Sequence, residues 1–444
     1  QSRRGSRATC DGRLGSPNAR VSVSHVVCHA LIASILLAGC DRRVIPTTDR
    51  ESDRDQATTN DDLIPNEEPL IRVRLHRLTG GNPSITIGQA KQAMAIRVGD
   101  TEVQLEGPST IGRKQGRWTA SGVNLPASIA SADVVELTSP TPLSVGSHPK
   151  RTYEGIIRCV ADQDPPRLSF SVINVVKMEQ YIPGVLAGEL YEGWHDAAFK
   201  AQAVAARSFA LSRHQQRKSH TWDVTDTSSS QVYVGIPSWN QATRTATATS
   251  GEIITWRGEV VPGYFSSCCG GRAALASQAI GPNPINKVPP LDGHSNPAWC
   301  TEAPRYRWTG PWDPSKVSRA IRSWARRVGR EDLAAIGEVV SIKPMSPNRH
   351  GRPSKVEIRG SGGKTATIRC VDLPGVFAES DLNPLSSGWI DAEVKRGFLV
   401  VNGHGFGHGA GLCQYGAEAM AASALTYERI IQFYYPQGEL TKAW

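Results

Sequence analysis

A chain of 444 residues that is 39% hydrophobic and 20% charged can bury one large core or two smaller ones. This composition excludes a fibrous protein and a chain that is disordered throughout. The net charge is +9, and residues 69–444 alone carry +10, which favours a polyanionic partner. No zinc-finger, helix-turn-helix or RNA-binding signature stands out in the sequence, so we do not expect that partner to be nucleic acid.

The first predicted element is a signal peptide. An apolar run over residues 26–39 follows an arginine-bearing leader and is too short for a permanent membrane span. It ends in Leu-Ala-Gly and Cys40, which resembles the lipobox of bacterial lipoproteins. We therefore predict a lipoprotein signal over residues 1–40 with lipidation at Cys40, which places the protein in the cell envelope, facing the periplasm or the outside. An ordinary secretory signal is the alternative.

The next two segments differ sharply in composition. Residues 41–68 are acidic, rich in Thr and Asp and nearly free of aromatic residues, which predicts a disordered tether. Short alternating stretches bounded by Gly, Pro and Asn then predict a β-rich part over residues 69–175. The strands expected there cover residues 71–75, 94–98, 103–105 and 168–172.

The clearest predicted helix covers residues 196–217. It is rich in Ala, contains no Gly or Pro, and begins at Asp196, which can cap it. Lys200, Arg207 and His214 are seven residues apart and form a basic stripe on one face.

The remaining chain mixes strands and helices without an internal repeat. Strands are predicted at residues 252–256, 260–265, 339–342, 355–359, 365–370 and 398–401, and helices at 313–336, 417–424 and 426–435. This order is typical of an α+β fold, with the Ala-rich helix in the core and a Gly/His-rich loop after the last strand.

Three separated segments carry a family resemblance. They are residues 181–190 running on through Trp194 to Ser208, residues 229–235, and the Gly/His-rich residues 403–417. A Cys-Cys-Gly-Gly run at 268–271 lies between the second and third segments, and Tyr-Tyr-Pro at 434–436 follows the third. In their order along the chain, these motifs resemble the stage II sporulation protein D family (SpoIID/LytB). The resemblance covers roughly residues 69–444. It implies a catalytic region over 176–444 that includes an inserted or accessory part at 282–398.

The resemblance implies a peptidoglycan lytic transglycosylase with Glu189 as its acid. Such an enzyme cleaves the bond between N-acetylmuramic acid and N-acetylglucosamine in peptide-stripped glycan strands and forms a 1,6-anhydro ring, with no cofactor required. Glu189 lies among apolar residues, and apolar surroundings favour the protonated form that a general acid needs. An N-acetylmuramoyl-L-alanine amidase is the implied protein partner, and the lipid anchor is the only expected contact with the membrane.

Two other functions fit the same residues. A non-catalytic cell-wall binder that enhances an amidase would not need Glu189. A hydrolytic muramidase would keep Glu189 and add a second carboxylate, for which Asp223 and Asp226 are the candidates. Both aspartates lie beside threonines, a pattern that favours turn or capping roles instead.

Four side chains are predicted to contact the glycan, two on the helix 196–217 and two in the segment 229–235. Lys200 and Arg207 could bind the lactyl carboxylate of muramic acid, and the guanidinium can do so with two hydrogen bonds. Gln231 offers a hydrogen-bond donor, and Tyr233 offers a face on which a sugar can stack.

The Gly/His-rich segment supplies further candidates. His404 and His408 have the i, i+4 spacing of two metal ligands on a helix, but five glycines across residues 403–411 argue against a helix. We instead predict a tight loop that brings one or both histidines near Glu189, supported by Gln414 and Tyr415.

The cysteines leave two alternatives open. Cys268, Cys269, Cys300 and His294 could hold a structural zinc ion, and an oxidising envelope equally favours a disulfide from Cys268 or Cys269 to Cys300. We prefer the disulfide, because the spacing does not show four convincing ligands. Cys413 stands where serine is common in the resembled family, which places a thiol beside the predicted site.

Overall fold

The computed structural model describes residues 64–76, 84–146, 151–162, 169–294, 298–378 and 382–444. The predicted signal peptide, Cys40 and most of the predicted tether lie outside these residues. Helices and strands occur in mixed order, which confirms the α+β fold class. Within the described ranges, no helix combines the length and apolar character that a membrane span requires.

Strands β1–β12 lie between residues 70 and 225. They cover Leu70–Arg74, Ser84–Ile87, Ala93–Val98, Thr101–Glu106, Ser109–Lys114, Arg117–Ala120, Val134–Thr138, Leu143–Ser144, Thr152–Tyr153, Ile156–Ala161, Phe170–Lys177 and Val224–Thr225. Strands β13–β23 cover Glu252–Trp256, Glu259–Val260, Phe265–Ser266, Arg307–Trp312, Val339–Pro347, Pro353–Gly360, Thr365–Arg369, Ile390–Lys395, Phe398–His404, Leu412–Cys413 and Glu439–Lys442.

Helices α1–α10 in chain order cover Ala127–Ala130, Met178–Glu189, Asp196–Gln216, Asn240–Thr247, Ala276–Ala279, Pro314–Arg327, Glu331–Ala334, Leu373–Ala378, Gln414–Ala422 and Tyr427–Tyr434. Short 3₁₀ turns lie at Pro284–Asn286, Pro289–Leu291 and Cys370–Asp372.

A seven-stranded sheet is the framework of the first half, in the order β12-β1-β11-β10-β7-β3-β4. Its strand β11 is longer than the predicted strand at 168–172, and seven of its eight residues are buried. This strand pairs with β1 on one side and β10 on the other, and its sequence is almost continuously apolar, as expected for a strand covered on both faces.

The Ala-rich helix α3 is confirmed at Asp196–Gln216, within one residue of its predicted end. Its buried residues run from Ala198 to Ser212, because small side chains let neighbouring elements pack closely around it. The predicted cap is wrong: His195 is the N-cap residue, and Asp196 lies in the first turn, paired with Arg244 at 2.5 Å.

Helix α2 was not predicted from the sequence. Met178–Glu189 contains Pro183, Gly184 and Gly188, which are all unfavourable inside a helix and conceal its periodicity. The helix forms because its face is almost wholly buried, from Met178 to Leu186, and burial outweighs the low helix propensity.

A second group of buried side chains lies between Trp312 and Val401 and is distinct from the main core, which runs from Ile71 to Tyr435. A six-stranded sheet in the order β16-β21-β20-β17-β18-β19 forms its framework, with α6, α7 and α8. Strand β21 then leads the chain back to the Gly/His-rich segment.

Candidate active site at Glu189

Glu189 is the last residue of α2 and is half-buried. Its Oε1 accepts a hydrogen bond from the backbone N–H of Val232 at 2.6 Å, and its Oε2 accepts one from the side-chain amide of Gln414 at 3.3 Å. The carboxyl group is therefore oriented by two segments that lie 43 and 225 residues further along the chain. Both segments, and that of Glu189 itself, are the three that carry the family resemblance in the sequence.

Two glycines explain why α2 can approach the segment that contains Val232. A Cβ atom added to Gly184 would lie 2.2 Å from the carbonyl oxygen of Gly235, and one added to Gly188 would lie 2.4 Å from that of Val232. Both distances are too short for any side chain. The i, i+4 spacing of these glycines places them on one helix face, so the helix backbone lies directly against the segment that holds Glu189.

Gly188→Ala is therefore expected to push Val232 away and to remove the hydrogen bond to Glu189. Overpacking of this kind typically costs about 1–3 kcal/mol of unfolding free energy, which chemical denaturation can measure. Gly362→Ala is the matched control, because a Cβ at Gly362 would meet no atom within 4 Å. If the two variants were equally stable, the close approach of α2 would not be required.

Gln231 and Tyr233 flank Val232 and are buried, with 0% and 1% of their surfaces exposed. The Gln231 side chain accepts a hydrogen bond from Tyr181 Oη at 3.0 Å and donates one to the Ala206 carbonyl at 3.2 Å. Tyr233 Oη donates to Asn174 Oδ1 at 2.9 Å. This burial corrects the predicted sugar contacts: both residues anchor the segment that presents the Val232 N–H.

Arg207 is also buried, with 0% of its surface exposed. Its Nε and one terminal nitrogen donate to the two carboxylate oxygens of Glu179 at 3.0 and 2.9 Å, and its other terminal nitrogen donates to the Glu252 carbonyl at 2.9 Å. The predicted contact with a lactyl carboxylate is corrected accordingly, because this guanidinium is already engaged inside the protein. Lys200 is half-buried and its Nζ lies 5.7 Å from the ring centre of Tyr427, so its substrate contact stays a prediction.

The two aspartates considered as a second catalytic carboxylate are buried as well. Asp223 accepts hydrogen bonds from the Arg72 side chain and from His214 Nδ1 at 3.1 Å. Asp226 Oδ1 accepts one from the backbone N–H of His76 at 2.8 Å. Asp223 therefore joins the segment after α3 to Arg72 of β1, and Asp226 joins it to His76 just beyond β1. Both carboxylates have structural roles.

The segment after β21 turns without forming a helix. Gly405, Gly407, Gly409 and Gly411 all have positive φ, between 68° and 93°. Every second residue thus adopts a conformation that residues with a Cβ rarely take. A Cβ on Gly411 would also lie 1.9 Å from the Tyr264 carbonyl oxygen, so the loop needs glycine both for its turn and for its packing.

His404, at the end of β21, and His408, in the loop, are both neutral near pH 7. The His404 ring stacks on Trp389 with 4.3 Å between ring centres, and His408 Nδ1 accepts a hydrogen bond from the Ala410 N–H at 3.0 Å. Burial lowers the pKa of each to about 4, and the nearby Arg352 adds to this effect. Their predicted approach to Glu189 stays a prediction, whereas Gln414 makes a direct contact with it.

Four cysteine side chains converge where this loop ends. The sulfur atoms of Cys268, Cys300 and Cys413 all lie within 4.8 Å of one another, and Cys269 Sγ lies 3.5 Å from Cys300 Sγ. All four residues are buried and their thiols are free, not joined as the preferred disulfide. The sequence did not assign Cys413 to this group, because it lies 113 residues beyond Cys300 and only the fold brings them together.

His294 does not belong to this cluster as the structure describes it. Its ring packs against Phe433 and Tyr434, with ring centres 4.8 and 4.9 Å away. His294 therefore lies apart from the sulfur atoms of the cluster, in which Cys268, Cys300 and Cys413 are within mutual ligand distance and Cys269 approaches Cys300.

The four-cysteine cluster fits a metal ion. Four thiolates are a common ligand set for structural zinc. Two backbone amides donate to these sulfurs, from Cys269 to Cys413 Sγ at 3.3 Å and from Gly270 to Cys268 Sγ at 3.4 Å, and such hydrogen bonds favour the thiolate form.

A buried cation beside the cluster supports the same assignment. Arg352 is 5% exposed and donates to the backbone carbonyls of Cys269 and Arg272. Burial lowers its pKa, and attraction to the cysteines opposes that shift. Because a buried charge is normally balanced, a cation at this point fits a cluster that carries negative charge, as a metal held by four thiolates would.

The comparisons with known proteins agree with the motifs. A family model described as Stage II sporulation protein matches residues 167–256, which include α2, α3 and the segment around Val232. Residues 167–256 therefore carry a stage II sporulation protein domain, and the similarity to relatives named stage II sporulation protein D extends over 61% and 62% of the chain.

Three relatives illustrate the similarity. An uncharacterized protein of Brachyspira hyodysenteriae is 30% identical over 266 residues, which cover 60% of this chain and 66% of that protein. The amidase enhancer of Bacillus subtilis is 26% identical over 299 residues, covering 59% of this chain and 40% of its own length. Stage II sporulation protein D of Bacillus subtilis is 26% identical over 291 residues, 61% of this chain and 76% of its own. The chain thus spans less than two thirds of the first two.

Proposed function

We propose that this protein acts on the bacterial cell wall as a lytic transglycosylase that cleaves glycan strands. The observation that carries the proposal is the fixed carboxyl group of Glu189, half-buried and held by the Val232 N–H and the Gln414 amide. The relatives named stage II sporulation protein D and amidase enhancer support a task in the cell envelope. The strongly basic net charge of residues 69–444 suits a glycan that carries lactyl carboxylates.

The proposed reaction needs one carboxyl group. Glu189 donates its proton to the glycosidic oxygen that leaves N-acetylmuramic acid, and the bond from that oxygen to the anomeric carbon breaks. The resulting carboxylate takes the proton from the C6 hydroxyl of the same sugar, whose oxygen bonds to the anomeric carbon and closes the 1,6-anhydro ring. Hydrolytic glycosidases employ two carboxyl groups. The engagement of Asp223 and Asp226 in buried contacts favours the one-carboxyl reaction.

Digestion of peptide-free glycan strands, followed by mass spectrometry of the products, tests this function. Anhydro ends are the expected result. Reducing ends would instead identify a hydrolytic muramidase, and intact strands that nevertheless bind the protein would identify a non-catalytic binder that acts through an amidase.

The four-cysteine cluster extends the proposal to a structural zinc ion held by Cys268, Cys269, Cys300 and Cys413. Zinc supplies folding free energy there and takes no part in the reaction. Since Cys413 directly precedes Gln414, these residues also maintain the position of the amide that contacts Glu189.

Metal analysis of the protein purified without chelator is expected to find about one zinc ion per chain. Cys413→Ser should lower both the zinc content and the midpoint of thermal unfolding, because it removes one of four ligands. Cys370→Ser, a half-buried cysteine outside the cluster, is the matched control and should change neither. A metal-free protein in which these cysteines form disulfides would contradict the assignment.

A further inference from the structure

Three aromatic side chains meet one another within a few residues of Glu189 and of Gln414 in the chain. Tyr191 and Trp194 follow the end of α2, and Tyr415 follows Gln414, the hydrogen-bond partner of Glu189. The ring centres lie 5.4 Å apart for Tyr191 and Trp194, 6.4 Å for Tyr191 and Tyr415, and 5.0 Å for Trp194 and Tyr415. Two independent stretches of chain therefore bring aromatic rings together, one stretch following Glu189 and the other following its hydrogen-bond partner Gln414.

This aromatic cluster is not a closed part of the core. Tyr191 is 46% exposed, and Trp194 and Tyr415 are each partly exposed. Single exposed apolar residues are ordinary on protein surfaces, but aromatic rings in mutual contact beside a polar site are typical of ligand binding. The cluster is tied to the proposed active site through the chain, because Tyr191 lies two residues after Glu189 and Tyr415 directly follows Gln414, which contacts Glu189.

The turn that presents Tyr191 and Trp194 is braced from two helices. From α9, the Glu418 carboxylate accepts hydrogen bonds from the His195 N–H at 2.9 Å and contacts His195 Nδ1 at 2.7 Å. From α4, the Gln241 side chain accepts one from the Gly193 N–H at 3.2 Å and donates one to the Trp194 carbonyl at 2.6 Å. Rigid support of this kind lets an exposed ring bind a ligand without a large loss of side-chain freedom.

We propose that Tyr191, Trp194 and Tyr415 form a sugar-stacking subsite, which takes the apolar face of one pyranose ring of the glycan strand and so sets which bond reaches Glu189. The C–H groups of that face are weakly positive and the faces of aromatic rings are weakly negative, so the two surfaces attract each other. The inference rests on the proposed function for the identity of the ligand, but stacking itself does not depend on cleavage.

Binding of soluble peptide-free glycan strands, measured by calorimetry, tests the subsite. Glu189→Gln serves as the parent chain, so that no cleavage disturbs the titration. Adding Tyr191→Ala is expected to weaken binding about tenfold, whereas Tyr191→Phe should bind like the parent because the stacking face is kept. Phe398→Ala is the matched control, since Phe398 is a 55% exposed aromatic in β21 and should not affect binding.

A second measurement separates this inference from the proposed function. In the chain that keeps Glu189, Tyr191→Ala is expected to raise KM for glycan strands more than it lowers kcat. Equal binding by Tyr191→Ala and its parent would overturn the subsite, even if the protein cleaves glycan with anhydro products. Weakened binding by Tyr191→Ala in a protein that never cleaves glycan would support the subsite and overturn the transglycosylase.

Discussion

Replacement of Glu189 by Gln is expected to lower the rate of glycan cleavage by about 10²–10⁴-fold, which is the usual contribution of a general acid or base. The amide cannot donate the proton that the leaving oxygen requires and cannot accept the one from the C6 hydroxyl. Its side-chain oxygen can still accept the hydrogen bond from the Val232 N–H, so the fold should be retained. The measurement is the initial rate of release of anhydro-ended fragments from peptide-free strands.

Two comparisons make the Glu189→Gln result specific. Glu192→Gln changes an exposed glutamate three residues further along and should leave the rate unchanged. Binding of intact strands by Glu189→Gln should persist, because the aromatic cluster is untouched. Full cleavage activity in Glu189→Gln would remove this residue from the mechanism and favour the amidase-enhancing function instead.

Arg207→Ala should cause a large loss of stability. Arg207 is fully buried and holds Glu179 with two hydrogen bonds, while Glu179 also accepts hydrogen bonds from the Gly251 N–H and the Trp444 indole. Removal of one partner from a buried pair typically costs about 3–5 kcal/mol. The lower end of this range is expected here, because the Glu179 side chain is 21% exposed and keeps its two other donors. Denaturant unfolding followed by circular dichroism measures this loss.

The exposed pair of Arg244 and Asp196 provides the control for Arg207. Both side chains are well exposed, at 56% and 40%, and they also join α3 to a neighbouring helix. Arg244→Ala should therefore cost only about 0–1 kcal/mol, as surface ion pairs usually do. Arg207→Ala with normal stability and weakened glycan binding would instead restore the substrate-binding role predicted from the sequence.

Local composition was sufficient to predict some helices and strands of this protein. The Ala-rich run from Asp196 to Gln216 has high helix propensity at every turn, so tertiary contacts only had to agree with it. The positions of most later strands also followed from short alternating patterns bounded by turn residues. The prominence of Glu189 came from its motif, and no local propensity would have selected it.

Other features depend on which distant residues meet, and no local pattern encodes that. Helix α2 exists because its buried face outweighs a proline and two glycines, and those glycines are needed for contact with residues 232–235. A basic stripe on a helix has the same sequence pattern whether its members face water or a carboxylate inside the protein. The sequence therefore predicted a substrate contact for Arg207, whereas its side chain is buried and pairs with Glu179.

The cysteine cluster most clearly separates what local sequence predicts from what depends on contacts between distant residues. The sequence alone suggested that Cys268, Cys269 and Cys300 lie together. Cys413 joins them only after the chain has passed through the second group of buried residues between Trp312 and Val401. Composition and periodicity determine which helices and strands can form, because these depend on neighbours in the chain. The surroundings of a side chain, and hence its chemistry, depend on long-range packing, which only the folded structure decides.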